Sequence, residues 1–194
     1  MPKLSDMTVR TLSPANYRFS SDIIQAVAVQ GAMLADNVVD FEVVKLPRYR
    51  PVVETDLLQI NDVVIGFAGY PREITSVGIY HPNISFAEPV TLSSNTLAFR
   101  AATLAEATSI LAGLIYRLDR RRNPLEFSEV RGMQIEILTD DQITKFLDLV
   151  RVTHEMHVNA RKRTKLMQEL VPATVQKFYK DNAKDDEKIP GAVA

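Results

Sequence analysis

Cysteine and tryptophan are absent from this chain, and only 7 of its 194 residues are glycine. Without thiols there can be no disulfide, no thiolate nucleophile and no Cys-ligated metal. The glycine-dependent signatures are missing too: no GxxxxGK[ST] phosphate loop, no GxGxxG dinucleotide turn and no GxSxG nucleophile elbow. No apolar run approaches the roughly 20 residues a membrane-spanning helix requires. The opening MPKLSDMTVRTLSPANYRFSS lacks the apolar stretch of a secretory signal. Neither sign of charge dominates, since 23 Lys and Arg face 24 Asp and Glu. That balance excludes a protein governed by non-specific attraction to nucleic acid or lipid, although local patches remain open. The expectation is a cytoplasmic protein with no membrane contact and no cofactor.

Apolar side chains are plentiful, at 46% of the chain, and suffice for one sizeable core. The organising stretch is Leu97 to Arg122. Leu97, Ala101, Leu104, Thr108, Leu111, Ile115 and Leu118 alternate by four and three, the spacing of one helix face. Ala107, Ile110 and Leu114 widen that face, and Ala107 to Tyr116 carries no charge. The spacing predicts a core helix, capped from Ser93-Ser94-Asn95 and stopped at Asn123-Pro124.

Around it, residues 1–21 read as an N-terminal arm, 22–180 as a single α+β domain and 181–194 as a charged, disordered tail. Ser20 to Asp22 would cap a first helix running to about Asn37 or Asp40. Val38 to Leu46 has strand character, and Pro47-Arg48-Tyr49-Arg50-Pro51 reads as a stiff basic connector. Leu57–Ile60 and Val63–Tyr70 read as a hairpin about Asn61-Asp62, followed by a corner at Pro71-Arg72 and a strand over Ile74–Tyr80. Met133–Leu138 reads as a further strand. The glycine pair Gly66 and Gly69 marks a bulge or a close approach. Thr139 with Gln142 forms a capping box that opens a long helix over 139–170. The fold class expected is therefore α+β: an antiparallel meander sheet covered by a central core helix, with a long C-terminal helix.

Three groups of residues are candidates for function. His154 and His157 lie three apart and so share a helix face, as a metal pair would. Arg151 and Arg161 flank them, and the sequence supplies no third ligand, so no metal is expected. Arg117, Arg120, Arg121 and Arg122 end the core helix, where they complement its dipole or contact phosphate. Between 151 and 165, Arg151, Arg161, Lys162, Arg163 and Lys165 face only Glu155. Such a run is a solvated face or an acidic-partner or nucleic-acid surface. Met156, Ala160, Met167 and Leu170 form a narrow apolar stripe beside it.

The words INDVVIGFAGYP (Ile60–Pro71) and VGIYHPN (Val77–Asn83), with the order of helices and strands, resemble the GNAT family of N-acetyltransferases. The resemblance covers about a third of the chain and implies an acyl-CoA-binding fold. The family's glycine-rich pyrophosphate loop would fall at Ser85–Asn95, which has no glycine. No catalytic residue is carried over from it.

The functional expectation is a non-catalytic binding or assembly subunit. It associates with itself or another protein through Met156, Ala160, Arg161, Lys162, Arg163, Lys165, Met167 and Leu170. The alternatives are a GNAT-like acyltransferase or a degenerate relative, and a nucleic-acid-binding protein using Arg120–Arg122 and Arg161–Lys165.

Overall fold

A computed structural model describes residues 1–14, 23–35, 37–40, 48–69, 72–80, 88–120 and 125–186. The chain divides into two compact units, Met1–His154 and Glu155–Ala194. The fold is α+β, with open sheets and a long C-terminal helix.

In the first unit, α1 (Leu4–Met7) and β1 (Thr8–Leu12) lead into β2 (Ile24–Val29), β3 (Leu34–Ala35) and β4 (Val38–Val39). There follow β5 (Arg48–Val52), β6 (Asp62–Ala68), β7 (Glu73–Ile79), β8 (Val90–Leu92) and β9 (Thr96–Ala101). The helices α2 (Leu104–Arg120) and α3 (Phe127–Val130) precede α4 (Asp140–Asp186), which continues into the second unit. Six strands form a central sheet in the order β1-β9-β6-β7-β4-β3, and three form a smaller sheet in the order β5-β2-β8. Pairing is antiparallel except for β4 with β7 and β2 with β8.

Alternation along β6 and β9 explains how the layers hold together. Val63, Ile65, Phe67, Leu97 and Phe99 point to one face, where Ala107, Ile110, Leu111 and Leu114 of α2 cover them. Val64 and Ala98 point to the other, where Val27, Val29, Val90 and Leu92 of the smaller sheet meet them. Because both faces are covered, these strands read as nearly unbroken apolar runs.

That double burial corrects two helix expectations. The stretch from Leu97 to Ala101 is strand β9, and α2 starts only at Leu104. The stretch capped from Ser20 holds strand β2, not a helix, because Ile24–Val29 pairs with a strand on each side. The face of α2 is also turned from the expected one. Leu111 is fully buried, as are Ala107, Ile110 and Leu114, whereas Leu104, Ile115 and Leu118 are only partly covered. Thr103 and Glu106 cap α2 reciprocally, the Glu106 amide donating to Thr103 Oγ1 and the Thr103 amide to Glu106 Oε2.

Further differences are local. Within the expected arm, Thr8–Leu12 adds an outer strand beside β9. The hairpin joins β6 to β7, and Leu57–Ile60 stays outside the sheet, with Asn61 at φ 74° making the turn into β6. Of the strand expected over Val38–Leu46, Val38–Val39 is β4 and residues 41–47 lie outside the described ones. The basic connector contributes β5, an edge strand, where Pro51 is tolerated. Met133–Leu138 forms a single bridge, Lys3 to Gln134, and no strand. Gly66 sits at a register shift of β6, where a Cβ would stand 2.5 Å from Ser76 Oγ and 3.0 Å from Gly31 Cα. Gly69 has φ 70° and closes the hairpin.

Candidate functional site

α4 opens on the expected capping box. The Thr139 amide donates to Gln142 Oε1 at 2.9 Å, and the Gln142 amide to Thr139 Oγ1 at 3.4 Å. Its first turns anchor the helix through Ile143 and Val150, which are buried, and Phe146, which packs on the α2 side of the sheet. His154 follows on that face, its Nδ1 4.0 Å from Asp40 Oδ2, with both side chains largely buried.

At 100° per residue, a second set of apolar side chains falls about a third of a turn away from the anchoring face. Leu149, Met156, Met167 and Leu170 lie on it and are 63%, 65%, 60% and 57% exposed. Val152, Leu166 and Val171 are exposed beside them. The stripe expected from Met156 onward therefore starts two turns earlier, at Leu149. The 3-4 spacing of Leu149, Val152 and Met156 carried that signal in the sequence. The helix also runs beyond its expected end near Leu170, through Pro172 to Asp186. Pro172 removes one backbone donor without ending it. Residues 181–186 of the expected disordered tail are helical, and 187–194 lie outside the described residues.

The other candidates divide between the units. Ala160, Lys162, Arg163 and Lys165 are exposed and Arg161 is half-buried, all in the second unit. His157 is exposed. Arg117 is exposed on α2 in the first unit and Arg120 is the last residue of that helix, while Arg121 and Arg122 lie outside the described residues. Among the described residues, no group of three or more His, Cys, Asp or Glu lies together as metal ligands would. None of the described helices is long and apolar enough to cross a membrane.

Sequence reasoning missed three features of the first unit. Asp62 is fully buried and takes Arg100 bidentately, Nε to Oδ1 at 2.9 Å and Nη2 to Oδ2 at 2.8 Å. The Gln59 amide donates to the same carboxylate at 2.8 Å, and Arg100 Nη2 also donates to the Leu57 carbonyl. Only the β6–β9 register, which sets Asp62 opposite Arg100, brings the two together. Second, the rings of Phe67 and Phe127 meet edge to face at 5.5 Å, with Arg72 over the former and Arg131 over the latter. Third, Tyr49 on β5 has its phenol pKa raised by a hydrogen bond with Glu88, with burial and the nearby negative charge adding to the effect.

No family model and no curated protein matches the chain. Among solved structures, it is similar to the HsdS subunit from Thermoanaerobacter tengcongensis, with 13% identity and a TM-score of 0.50. The match covers 84% of this chain and 38% of that one, so the chain spans well under half of the subunit it resembles. At this identity the likeness is one of fold.

Proposed function

We propose that the protein is a non-catalytic assembly subunit of the cytoplasm that associates with itself or another protein through α4. One observation carries this reading: Met156, Leu166, Met167 and Leu170 stand exposed on the distal part of α4, a helix that the core holds only through its first turns, at Ile143, Phe146 and Val150. Helical stability in proteins comes mostly from tertiary packing of an apolar face, and the outer face of α4 offers one that a partner can cover. Met156 and Met167 suit such a contact, because unbranched thioethers adapt to the surface they meet. The fold likeness to a chain that is itself a subunit agrees with this reading. Light scattering over a wide concentration range tests it. The chain should be oligomeric, and the double variant Met156→Glu, Met167→Glu should be monomeric while keeping the near-ultraviolet spectrum of the folded first unit, and should lose only the stabilisation that association supplies. A chain that is monomeric throughout, and stays so in mixtures with its neighbours in the cell, would end the proposal.

Nucleic-acid binding is the second reading. It is favoured by Lys162, Arg163 and Lys165, which are exposed and make no ion pair among the described residues. It predicts binding that weakens steeply with salt and a shallower salt slope in Arg163→Glu. The GNAT resemblance gives an acyltransferase reading, which predicts a thermal shift with coenzyme A where the assembly reading predicts none.

A further inference from the structure

The exposed side of α4 repeats in sevens. Leu149, Met156, Arg163 and Leu170 stand seven apart, and so do Val152, Asn159, Leu166 and Ala173, each three places later. All eight are exposed. Two such rows make the seam of a coiled coil, in which polar residues fix register and orientation at some cost in stability. The two polar members here, Asn159 and Arg163, sit together near the middle of the seam.

We infer that the seam is covered by a second copy of this chain, laid antiparallel, with the two-fold axis level with residue 161. The inference rests on the assembly reading above and adds the partner, its direction and its register. In antiparallel pairing each row packs against the other row of the second copy. About residue 161, Leu149 then meets Ala173, Val152 meets Leu170, Met156 meets Leu166, and Asn159 meets Arg163. Every apolar residue faces an apolar one, and the Arg163 guanidinium faces a side-chain amide oxygen that can accept from it. The pairing is also self-complementary, as a two-fold interface must be.

The alternatives each bury a mismatch. Sliding one copy by a heptad in one direction sets Arg163 against Val152, and in the other against Leu166, leaving guanidinium donors unanswered. A parallel pair stacks Arg163 on Arg163. In the antiparallel register Ala160 stands beside its own copy at the axis, where a small side chain permits close approach. The flanking residues Glu155, Lys162 and Glu169 then meet like charges, Glu155 near Glu169 and Lys162 near Lys162. Salt screens that repulsion, so this dimer tightens as ionic strength rises. Capture of an acidic partner by Lys162, Arg163 and Lys165 would weaken instead.

The absence of native cysteine makes single introduced cysteines clean reporters. Ala160→Cys should cross-link to its own copy under mild oxidation and yield covalent dimer as the major species. Leu170→Cys alone should stay uncross-linked, yet link readily when mixed with Val152→Cys. Light scattering of each reduced variant, at low and high salt, reports assembly separately from register. A Leu170→Cys chain that links to itself, a dimer in which none of these pairs links, or a dimer that loosens in salt overturns the antiparallel pairing while leaving assembly standing. A reduced chain that is monomeric throughout overturns this inference, and the assembly reading falls with it when the chain also stays alone in mixtures with other proteins of the cell.

Discussion

α2 and α4 both carry apolar side chains at helical spacing, and they end in opposite environments. Leu111 and Leu114 of α2 are fully buried under the sheet, whereas Met156 and Met167 of α4 are 65% and 60% exposed. The difference lies in width and charge. The apolar face of α2 is broad, and Ala107–Tyr116 has no charged residue to keep in water. The outer face of α4 is narrow, interrupted by Asn159 and Arg163, and bordered by Glu155, Lys162 and Glu169. A broad uncharged face is satisfied within its own domain, and a narrow one with polar breaks suits a contact that must choose its partner and register.

If that comparison is right, substitutions on the core side cost stability and those on the outer side of α4 cost assembly. Asp62→Ala should have the largest effect, about 3–5 kcal/mol in chemical denaturation, because it strands Arg100 in a nearly dry site. A loss below about 1 kcal/mol would mean that the clasp contributes little to the sheet. Leu111→Ala should cost about 2–5 kcal/mol, the range for truncating a fully buried leucine. A smaller loss would remove α2 from the centre of the fold. Met167→Glu should change the stability of the isolated chain by no more than about 0.5 kcal/mol, as exposed substitutions do, while abolishing association. Smallest is a titration effect at Tyr49. Its phenol should ionise above the ordinary tyrosine range in ultraviolet difference titration against Tyr49→Phe, and Glu88→Gln should lower that midpoint. Since the folded-state value is raised, any stability it contributes is present below the unfolded tyrosine pKa and lost as pH rises through the folded one.

The two helices also show what was legible in the residues. The body of α2, the capping box at Thr139 and the distal stripe of α4 follow from spacing and end signals, because they depend on neighbours in sequence. The first turns expected of α2 and the helix expected before Asn37 failed for one shared reason. Strands β9 and β2 lie in sheets covered on both faces, so Leu97-Ala98-Phe99 and Ala26-Val27-Ala28-Val29 lose the alternation that announces a strand. The Asp62–Arg100 clasp was invisible because 38 residues separate its partners and only the strand register joins them. At the candidate surface, Leu149 and Val152 were hidden by Val150 and Phe146. Two apolar faces share those turns, and only burial tells them apart.

The central claim is that α4 joins the chain to a second copy of itself and that the first unit folds without the distal helix. The most direct measurement pairs solution mass with near-ultraviolet circular dichroism for the full chain and for a chain ending at Glu155. An oligomeric full chain and a monomeric truncated chain with the same aromatic spectrum is the result this account predicts. A truncated chain with the same oligomeric state, or a full chain monomeric at every concentration, would contradict it.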